Sequence, residues 1–173
     1  MRLLSHTSSS QKGFTLIELL LYTAIVGSLL IAIVAFYGLA SGARVKNQSI
    51  SEVNQQGIAA MDMIMRTIRG ANSVTTPATG ASGASLALTV PTASLSPTTF
   101  SVSNSVLQIS EGAGAAVALT NSKVQVTGMT VKNITRGSNA HVQVSLTLSR
   151  TNPNARDEFS YQKTFTSSAE LQW

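Results

Sequence analysis

Residues 12–40 read KGFTLIELLLYTAIVGSLLIAIVAFYGLA, a lysine and a glycine followed by a long apolar run. From Phe14 to Ala40 the chain has 27 residues and a single charged side chain, Glu18. As an α-helix this run is about 40 Å long, which exceeds the roughly 30 Å hydrocarbon core of a bilayer. Secretory signals usually carry an apolar region of only ~7–15 residues. The run therefore predicts a transmembrane helix or an unusually long signal segment.

Charge alone does not orient this helix, because basic residues flank both of its ends. Arg2 and Lys12 precede the run, and Arg44 and Lys46 follow it. Glu18 is a second unusual feature, since a carboxylate inside a bilayer costs roughly 2.5–3.5 kcal/mol on insertion scales. An acid there needs either a position near the headgroups or a partner of opposite charge.

The segment Lys12-Gly13-Phe14-Thr15-Leu16-Ile17-Glu18 resembles the processing site of type IV pilin-like proteins. The resemblance implies that a prepilin peptidase cuts between Gly13 and Phe14, removes residues 1–13 as a leader and methylates the new N-terminal Phe14. It also implies that the basic leader stays cytoplasmic, so that the head lies outside the cytoplasm. Glycine at the cut suits this chemistry, because it has no side chain to obstruct the scissile carbonyl.

Cleavage would create a positive amine at Phe14, about one helical turn before Glu18. In a stack of such helices, each Glu18 carboxylate is expected to neutralise the amine of a neighbouring subunit, because pairing avoids an isolated charge in lipid. Glu18 also lies in the first turn, where the helix dipole favours an anion. Residues 14–40 are thus predicted to be a transmembrane and filament-core helix, anchored by apolar side chains that include Leu16, Ile17, Leu19, Leu20, Ile25, Ile31 and Ile33.

Two features favour a minor component over a main pilin. Many main pilins carry a proline in the middle of the anchor helix, whereas Ala32–Tyr37 contains none. Met61–Ala71 also resembles the hydrophobic, arginine-containing helix end of minor pilins and of J-class minor pseudopilins of type II secretion. The resemblance therefore implies a minor pilin or pseudopilin.

Residues 41–73 are predicted to continue the helix beyond the membrane. Apolar and small residues recur there at intervals of three and four, which indicates one buried helix face. Such a face normally packs against a sheet. Its members are Val53, Gly57, Met61, Ile64, Met65, Ile68 and Ala71.

Residues 74–173 are predicted to form a β-rich globular head, because short segments of alternating hydrophobicity follow one another. The clearest is His141–Arg150, which places Val142, Val144, Leu146 and Leu148 on one face. The other candidate strands are 85–90, 99–102, 106–109, 116–120, 123–131 and 158–167. An antiparallel sheet covered by the helix face gives an α+β fold, the pilin-like plan that the resemblance also implies.

Turn-forming residues separate these segments. Residues 75–85 (TTPATGASGAS) predict a loop, Ser103-Asn104-Ser105 a hairpin turn, and Asn152-Pro153-Asn154 a second turn. Aromatic residues alternate on the chain that follows, which predicts a returning strand containing Phe159, Tyr161 and Phe165.

Composition narrows the classes of function. Charged residues are 11% of the chain, hydrophobic residues 43% and aromatic residues 5%, and there is no cysteine. The apolar content argues against disorder, and the lack of cysteine excludes disulfides, thiol catalysis and cysteine metal sites. The net charge of +5 falls to +3 without Arg2 and Lys12. This weak charge and the few aromatic residues do not favour a nucleic-acid partner.

No catalytic or cofactor-binding constellation emerges from the sequence. Ser160–Lys163 fits S-x-x-K, but it lies in a predicted strand, whereas that motif opens a helix and has companion motifs that are missing here. His141 is the only histidine after the leader, which is too few for a zinc site. Asp157-Glu158 has too few neighbouring carboxylates for calcium. We therefore expect no enzymatic activity, metal or cofactor.

The function expected from the resemblance is that of a minor pilin or pseudopilin in a type IV pilus or a type II secretion pseudopilus. Its partners would be the prepilin peptidase/methyltransferase, other pilins or pseudopilins, and the inner-membrane assembly platform. It would reside in the inner membrane and in the filament, including its tip. The alternative is a Sec-secreted β-rich binding domain, with Ser41-Gly42-Ala43 as the cleavage site of a long signal segment.

Overall fold

The computed structural model describes residues 13–136 and 140–172. The predicted leader therefore lies, apart from Gly13, outside the described residues. The chain divides into two compact units, one ending at Ser41 and the other comprising residues 42–173. Besides two short 3-10 helices (Ala93–Leu95 and Asp157–Phe159), the described ranges contain one long helix and nine strands: α1 (Leu16–Arg69), β1 (Ser73–Thr76), β2 (Ser82–Gly83), β3 (Leu86–Thr89), β4 (Thr98–Ser103), β5 (Val106–Glu111), β6 (Val117–Ala118), β7 (Val124–Asn133), β8 (His141–Arg150) and β9 (Gln162–Glu170).

The helix α1 has 54 residues and ends at Arg69, four residues before the predicted end at Ser73. At this end Gly70 N donates to Arg66 O at 3.1 Å, and Ala71 N donates to Ile68 O at 3.2 Å. Asn72 N then donates to Thr89 O at 2.7 Å, so the backbone leaves the helix for the neighbouring strand. The helix prediction was therefore too long because pairing with β3 takes over the backbone at this point.

The predicted apolar face of the helix is buried. Ile64 and Ile68 are 0% exposed, and all the other members of the face are also buried. Burying a large aliphatic side chain contributes about 1.5–3 kcal/mol, so this face contributes a large part of the apolar stabilisation of the head. The buried face packs in one hydrophobic cluster with residues of β3, β4, β5, β7, β8 and β9.

The strands form two antiparallel sheets. The first has five strands in the order β1-β3-β4-β5-β6, and the second has four in the order β2-β7-β8-β9. The α+β pilin-like architecture is thus confirmed, with two antiparallel sheets where the sequence indicated one. Alternation along a strand shows which side chains share a face, but it does not show which strand is its neighbour.

Strand β8 lies at the centre of the second sheet and has the predicted bounds. Val142, Val144, Leu146 and Leu148 are all 0% exposed. Its register pairs Val144 with Val131 of β7, and Val142 with Ala169 of β9. A strand with one fully buried face is specified strongly by its own periodicity, which is why its limits were predictable.

Turns and loops were predicted with mixed success. Asn104 and Ser105 have φ values of 51° and 60° between β4 and β5, so the predicted hairpin turn is confirmed as a two-residue turn with both residues left-handed. Residues 75–85, predicted as a loop, instead contain the end of β1 and the whole of β2.

The strand predicted at residues 158–167 begins later than expected. Phe159 ends a short 3-10 helix (Asp157–Phe159), Tyr161 precedes β9, and only Phe165 of the alternating aromatic residues lies on the strand. The guanidinium groups of Arg150 and Arg156 lie 5.8 and 5.6 Å from the centre of the Phe159 ring. The Phe159 ring thus contacts two guanidinium groups from a position outside the strand. Its six-residue spacing from Phe165 therefore does not reflect a strand that contains both rings.

Polar contacts attach α1 to the sheets beside the buried face. Asn121 Nδ2 donates to Glu52 Oε1 at 2.7 Å, and Lys163 Nζ donates to Asn54 Oδ1 at 2.9 Å. Near the other end of this part of the helix, Gln172 N donates to Arg69 O at 3.1 Å. These bonds fix the direction of the helix along the second sheet.

Gly57 allows the closest approach between α1 and β9, because a Cβ atom there would overlap the ring of Phe165. We predict that Gly57→Ala lowers the free energy of unfolding of the full chain in detergent by about 1–3 kcal/mol through overpacking. The matched control is Gly42→Ala, whose Cβ would lie in ordinary contact, 3.8 Å from Glu158 Cγ. That variant should be as stable as the wild type or more stable by up to about 1 kcal/mol. Equal urea unfolding curves for the two variants would contradict this account.

Candidate processing and assembly site

The predicted cleavage site lies immediately before the helix. Gly13, Phe14 and Thr15 have no regular secondary structure, and the Phe14 side chain is 74% exposed. Among residues 13–136 and 140–172, no atom outside Gly13 and its chain neighbours lies within 4 Å of the position that a Cβ of Gly13 would occupy. The Gly13–Phe14 peptide group therefore lies outside the helical hydrogen-bond ladder.

Thr15 caps the start of α1. Its Oγ1 accepts a hydrogen bond from Glu18 N at 3.3 Å, and its carbonyl accepts from Glu18 N at 3.1 Å and from Leu19 N at 3.2 Å. Thr15-Leu16-Ile17-Glu18 also has the S/T-x-x-E spacing of a capping box. Sequence reasoning missed this role of Thr15, although the signal was present in the motif. The cap determines where the helix begins and places Glu18 at its third position.

Glu18 shares one side of the helix with two aromatic residues. Phe14, Glu18 and Tyr22 follow at intervals of four, and the Phe14 and Tyr22 rings meet edge to face with centroids 6.3 Å apart. The Glu18 side chain is half-buried. Across residues 13–136 and 140–172, no basic side chain lies within salt-bridge distance of its carboxylate. A carboxylate in this position can accept a cation from outside the described part of the chain.

The predicted anchor residues are exposed on all sides of the helix. Leu16 is 80% exposed, and the lowest exposure in the set is 54%, found for both Ile25 and Ile33. The most apolar stretch of the helix has a mean hydropathy of 2.5, and none of it is buried. Such a surface has to be withdrawn from water by lipid or by other helices. The remaining anchor residues are exposed in the same way, at 61–76%: Ile17, Leu19, Leu20 and Ile31.

Polar side chains inside the apolar run are satisfied within the helix. Thr23 Oγ1 donates to Leu20 O at 2.9 Å, and Ser28 Oγ donates to Ile25 O at 2.8 Å. Unsatisfied polar groups cost several kcal/mol in hydrocarbon, so these two bonds make the hydroxyls compatible with a lipid environment.

The residues considered for other functions are not brought together. Lys163 Nζ donates to Asn54 and lies 5.2 Å from the Phe165 ring centre, so it is engaged away from Ser160. Ser41-Gly42-Ala43, the cleavage site of the secreted alternative, lies in the interior of α1. Within the described ranges no group of three or more histidine, aspartate or glutamate residues is arranged to hold a metal ion.

Comparison with known proteins agrees with the geometry of this N-terminal segment. Residues 8–34 match the family model of the prokaryotic N-terminal methylation motif. This motif, together with the long apolar helix and the antiparallel sheets that follow it, supports a type IV pilin-like protein. The motif implies processing by a prepilin peptidase, anchoring in a membrane and assembly with other pilins as a structural subunit. No curated protein and no solved structure matches the chain.

The cap at Thr15 can be tested directly. We predict that Thr15→Val speeds hydrogen exchange of the Glu18 amide about fivefold, because loss of a side-chain cap costs about 1 kcal/mol. The matched control is Thr23→Val, which removes a hydroxyl that bonds only to a carbonyl within the helix. Equal effects of the two substitutions on the Glu18 amide, measured in the same micelles, would show that Thr15 is not the cap.

Proposed function

We propose that the protein is a minor pilin or pseudopilin, a structural subunit of a type IV pilus or of a type II secretion pseudopilus. The observation that carries this proposal is the methylation motif placed at the junction between a non-helical Gly13–Phe14 and an exposed apolar helix. The motif supplies the processing chemistry, and the helix supplies the surface through which subunits associate.

Processing begins with cleavage of the Gly13–Phe14 peptide bond, followed by methylation of the Phe14 amine. Residues 1–13 are then the leader, and residues 14–40 are the membrane anchor and later the core of the filament. The non-helical backbone before Leu16 supports this step, because its carbonyl and amide groups are not committed to the helical ladder. The cap at Thr15 keeps the helix start in place after the leader is removed.

Assembly requires that apolar helices leave the lipid and pack against each other. When the helices pack together, the Glu18 carboxylate lies among apolar side chains. It pairs there with the positively charged Phe14 amine of a neighbouring subunit. Pairing of these groups avoids two isolated charges in an apolar setting, each of which costs several kcal/mol. Because the pair forms only when subunits meet in one register, it selects that register.

The minor rather than main role is supported by the middle of the anchor. No proline interrupts Ala32–Tyr37, and α1 continues through this stretch without a break. Residues 41–73 and 74–173 then serve as the connecting helix and the head. The head stays outside the cytoplasm, in contact with the other pilins or pseudopilins and with the inner-membrane assembly platform. A place at the filament tip fits such a component.

Cleavage is tested by intact mass and N-terminal sequencing of membrane-extracted protein, expressed with and without the prepilin peptidase. We expect a chain that begins with N-methylated Phe14 only when the peptidase is present. Gly13→Val should block this cut, because a branched side chain crowds the scissile carbonyl. The same substitution at Gly27, where a Cβ meets nothing within 4 Å, should leave the cut unchanged. A peptidase-independent chain that begins near Arg44, or an uncut one, would contradict the proposal.

The role of Glu18 is tested by Glu18→Gln, which keeps the shape of the side chain and removes its charge. We predict normal insertion and cleavage but at least about 100-fold less of the protein in sheared filaments, since breaking a buried ion pair costs about 3–5 kcal/mol. Quantitative immunoblotting of the filament and membrane fractions measures this ratio. Glu111→Gln, which alters an exposed acid at the end of β5, is the control. Incorporation of the Glu18 variant at the wild-type level would rule out the pairing.

A further inference from the structure

The unit formed by residues 42–173 has a proximal end, which we define by the start of its helix at Gly42 and by the loop 151–161. The contact between them is shown by Glu158 Cγ, which lies 3.8 Å from the position of a Gly42 Cβ. The opposite end is marked by the bond between Gln172 N and Arg69 O. Since β8 ends at Arg150, that arginine also lies toward the proximal end.

A small pocket of about 190 Å³ opens at this end between the last residues of β8 and the loop 151–161. Its lining contains one basic residue, Arg150. We call it the Arg150 pocket, and its other lining residues are Ser149, Asn152, Phe159, Ser160, Tyr161 and Gln162.

Arg150 lines this pocket, but two of its side-chain hydrogen-bond donors have no acceptor in the described part of the chain. Its backbone N donates to Tyr161 O at 2.9 Å, and its guanidinium lies 5.8 Å from the centre of the Phe159 ring. The side-chain atoms Nε and Nη1 are buried, and neither donates to an acceptor in the described part of the chain. Buried donors without a partner are costly, and a guanidinium is matched best by a carboxylate or phosphate.

Glu158, one of the two acids at this end, does not meet this need, because it is already bonded to Arg156. Arg156 Nη2 donates to Glu158 Oε1 at 3.3 Å. Hydrogen bonding from the backbone of Glu158, and then from Arg156, holds the pKa of the Glu158 carboxyl below its usual value of 4.5. Glu158 therefore remains ionised at neutral pH and bonded to Arg156, and it leaves the Arg150 donors unmatched.

We propose that the Arg150 pocket binds the phosphate of an anionic lipid headgroup, with Arg150 as its ligand. Arg156 lies on the same Phe159 ring as Arg150, and Arg44 and Lys46 are exposed on the helix a few residues beyond the apolar run. Together these side chains give the proximal end four basic residues against two acids, Asp157 and Glu158. The inference rests on the membrane anchor of the proposed function and adds a lipid contact for the head.

Chain connectivity brings the pocket within reach of the headgroups. The apolar run ends at Ala40, and Gly42 follows by two residues, which span at most about 7 Å. The polar layer on each side of the hydrocarbon core is about 5–7 Å thick. With Ala40 at the edge of the hydrocarbon core, as the proposed anchoring requires, the loop that contacts Gly42 lies at or beside the layer that holds the lipid phosphates. A carboxylate from a partner protein would have to compete for Arg150 with the many lipid phosphates in this layer.

Basic residues lie on both sides of the apolar run, and lipid binding by the head gives a role to those that follow it. Lys12 belongs to the leader side, where basic residues are expected to remain cytoplasmic. Arg44 and Lys46 then lie on the opposite side, where their function is to contact anionic headgroups. Each basic residue near an anionic surface is stabilised by about 1 kcal/mol, and the effect falls off within a Debye length.

The test uses the full chain in nanodiscs of phosphatidylcholine alone or of phosphatidylcholine mixed with phosphatidylglycerol. Hydrogen exchange of the backbone amides of residues 151–161 is measured in both. We expect about fivefold slower exchange in the anionic discs, the factor that corresponds to one basic residue bound at an anionic surface. Arg150→Gln should abolish this difference, and Arg156→Gln should reduce it.

Lys132→Gln is the control, because Lys132 pairs with Gln143 near the start of β8 and is remote from the proximal end. The Lys132→Gln variant should preserve the lipid-dependent difference in exchange, and exchange within β7 and β8 verifies that every variant is folded.

If Arg150→Gln fails to fold, the test rests on Arg156→Gln, because Arg156 is exposed. Equal exchange in both lipids, or equal loss in the Lys132 variant, would overturn the proposal. Equal protection by inorganic phosphate in neutral discs would show a free-anion site instead. None of these outcomes depends on peptidase cleavage, which tests the proposed function separately.

Discussion

The hydrophobic effect acts on α1 in two different ways along its length, and the rest of the structure depends on this division. From residue 14 to residue 40 the helix is apolar on every side and has almost no buried side chains. From Ser49 onward one apolar face is buried by the two sheets, and Ile58 and Met63 are large apolar side chains that stay exposed. The first part therefore requires lipid or neighbouring helices, whereas the second part is stabilised within the same chain. This difference makes one helix suitable both for insertion and for carrying a folded head.

The head has few charges, and its sheets carry paired hydroxyl groups on their exposed faces. Residues 71–110 contain no charged side chain, yet they form most of the five-stranded sheet. Thr75 and Thr89 approach to 3.2 Å across this sheet, and Thr147 and Thr164 approach to 2.9 Å across the other. Cross-strand hydroxyl pairs of this kind stabilise a sheet while leaving its outer face polar. Because the surface carries so little charge, the few basic residues at the proximal end have an electrostatic effect that is not masked elsewhere.

The N-terminal motif combines processing with helix geometry. Thr15 and Glu18 belong to the sequence that the prepilin peptidase recognises in the resemblance, and in the structure the same two residues define the first helical turn. The residues at the cut thus remain outside the helix, and the acid proposed for assembly is placed at a constant distance beyond them. One short motif can therefore serve both steps, since cleavage needs a free peptide group and assembly needs a carboxylate in a defined position.

The sequence by itself determined the features that depend on local patterns. These are the methylation motif, the helix through its apolar run and buried stripe, the bounds of β8, and the Asn104–Ser105 turn. Tertiary structure alone decided the division into two sheets, the approach of Gly57 to Phe165, the late start of β9 at Gln162, and the unmatched donors of Arg150. The physical reason is that local periodicity specifies which side chains lie on a common face. Strand neighbours, close backbone approaches and the partners of a buried guanidinium depend instead on residues distant in sequence, which only the folded chain brings together.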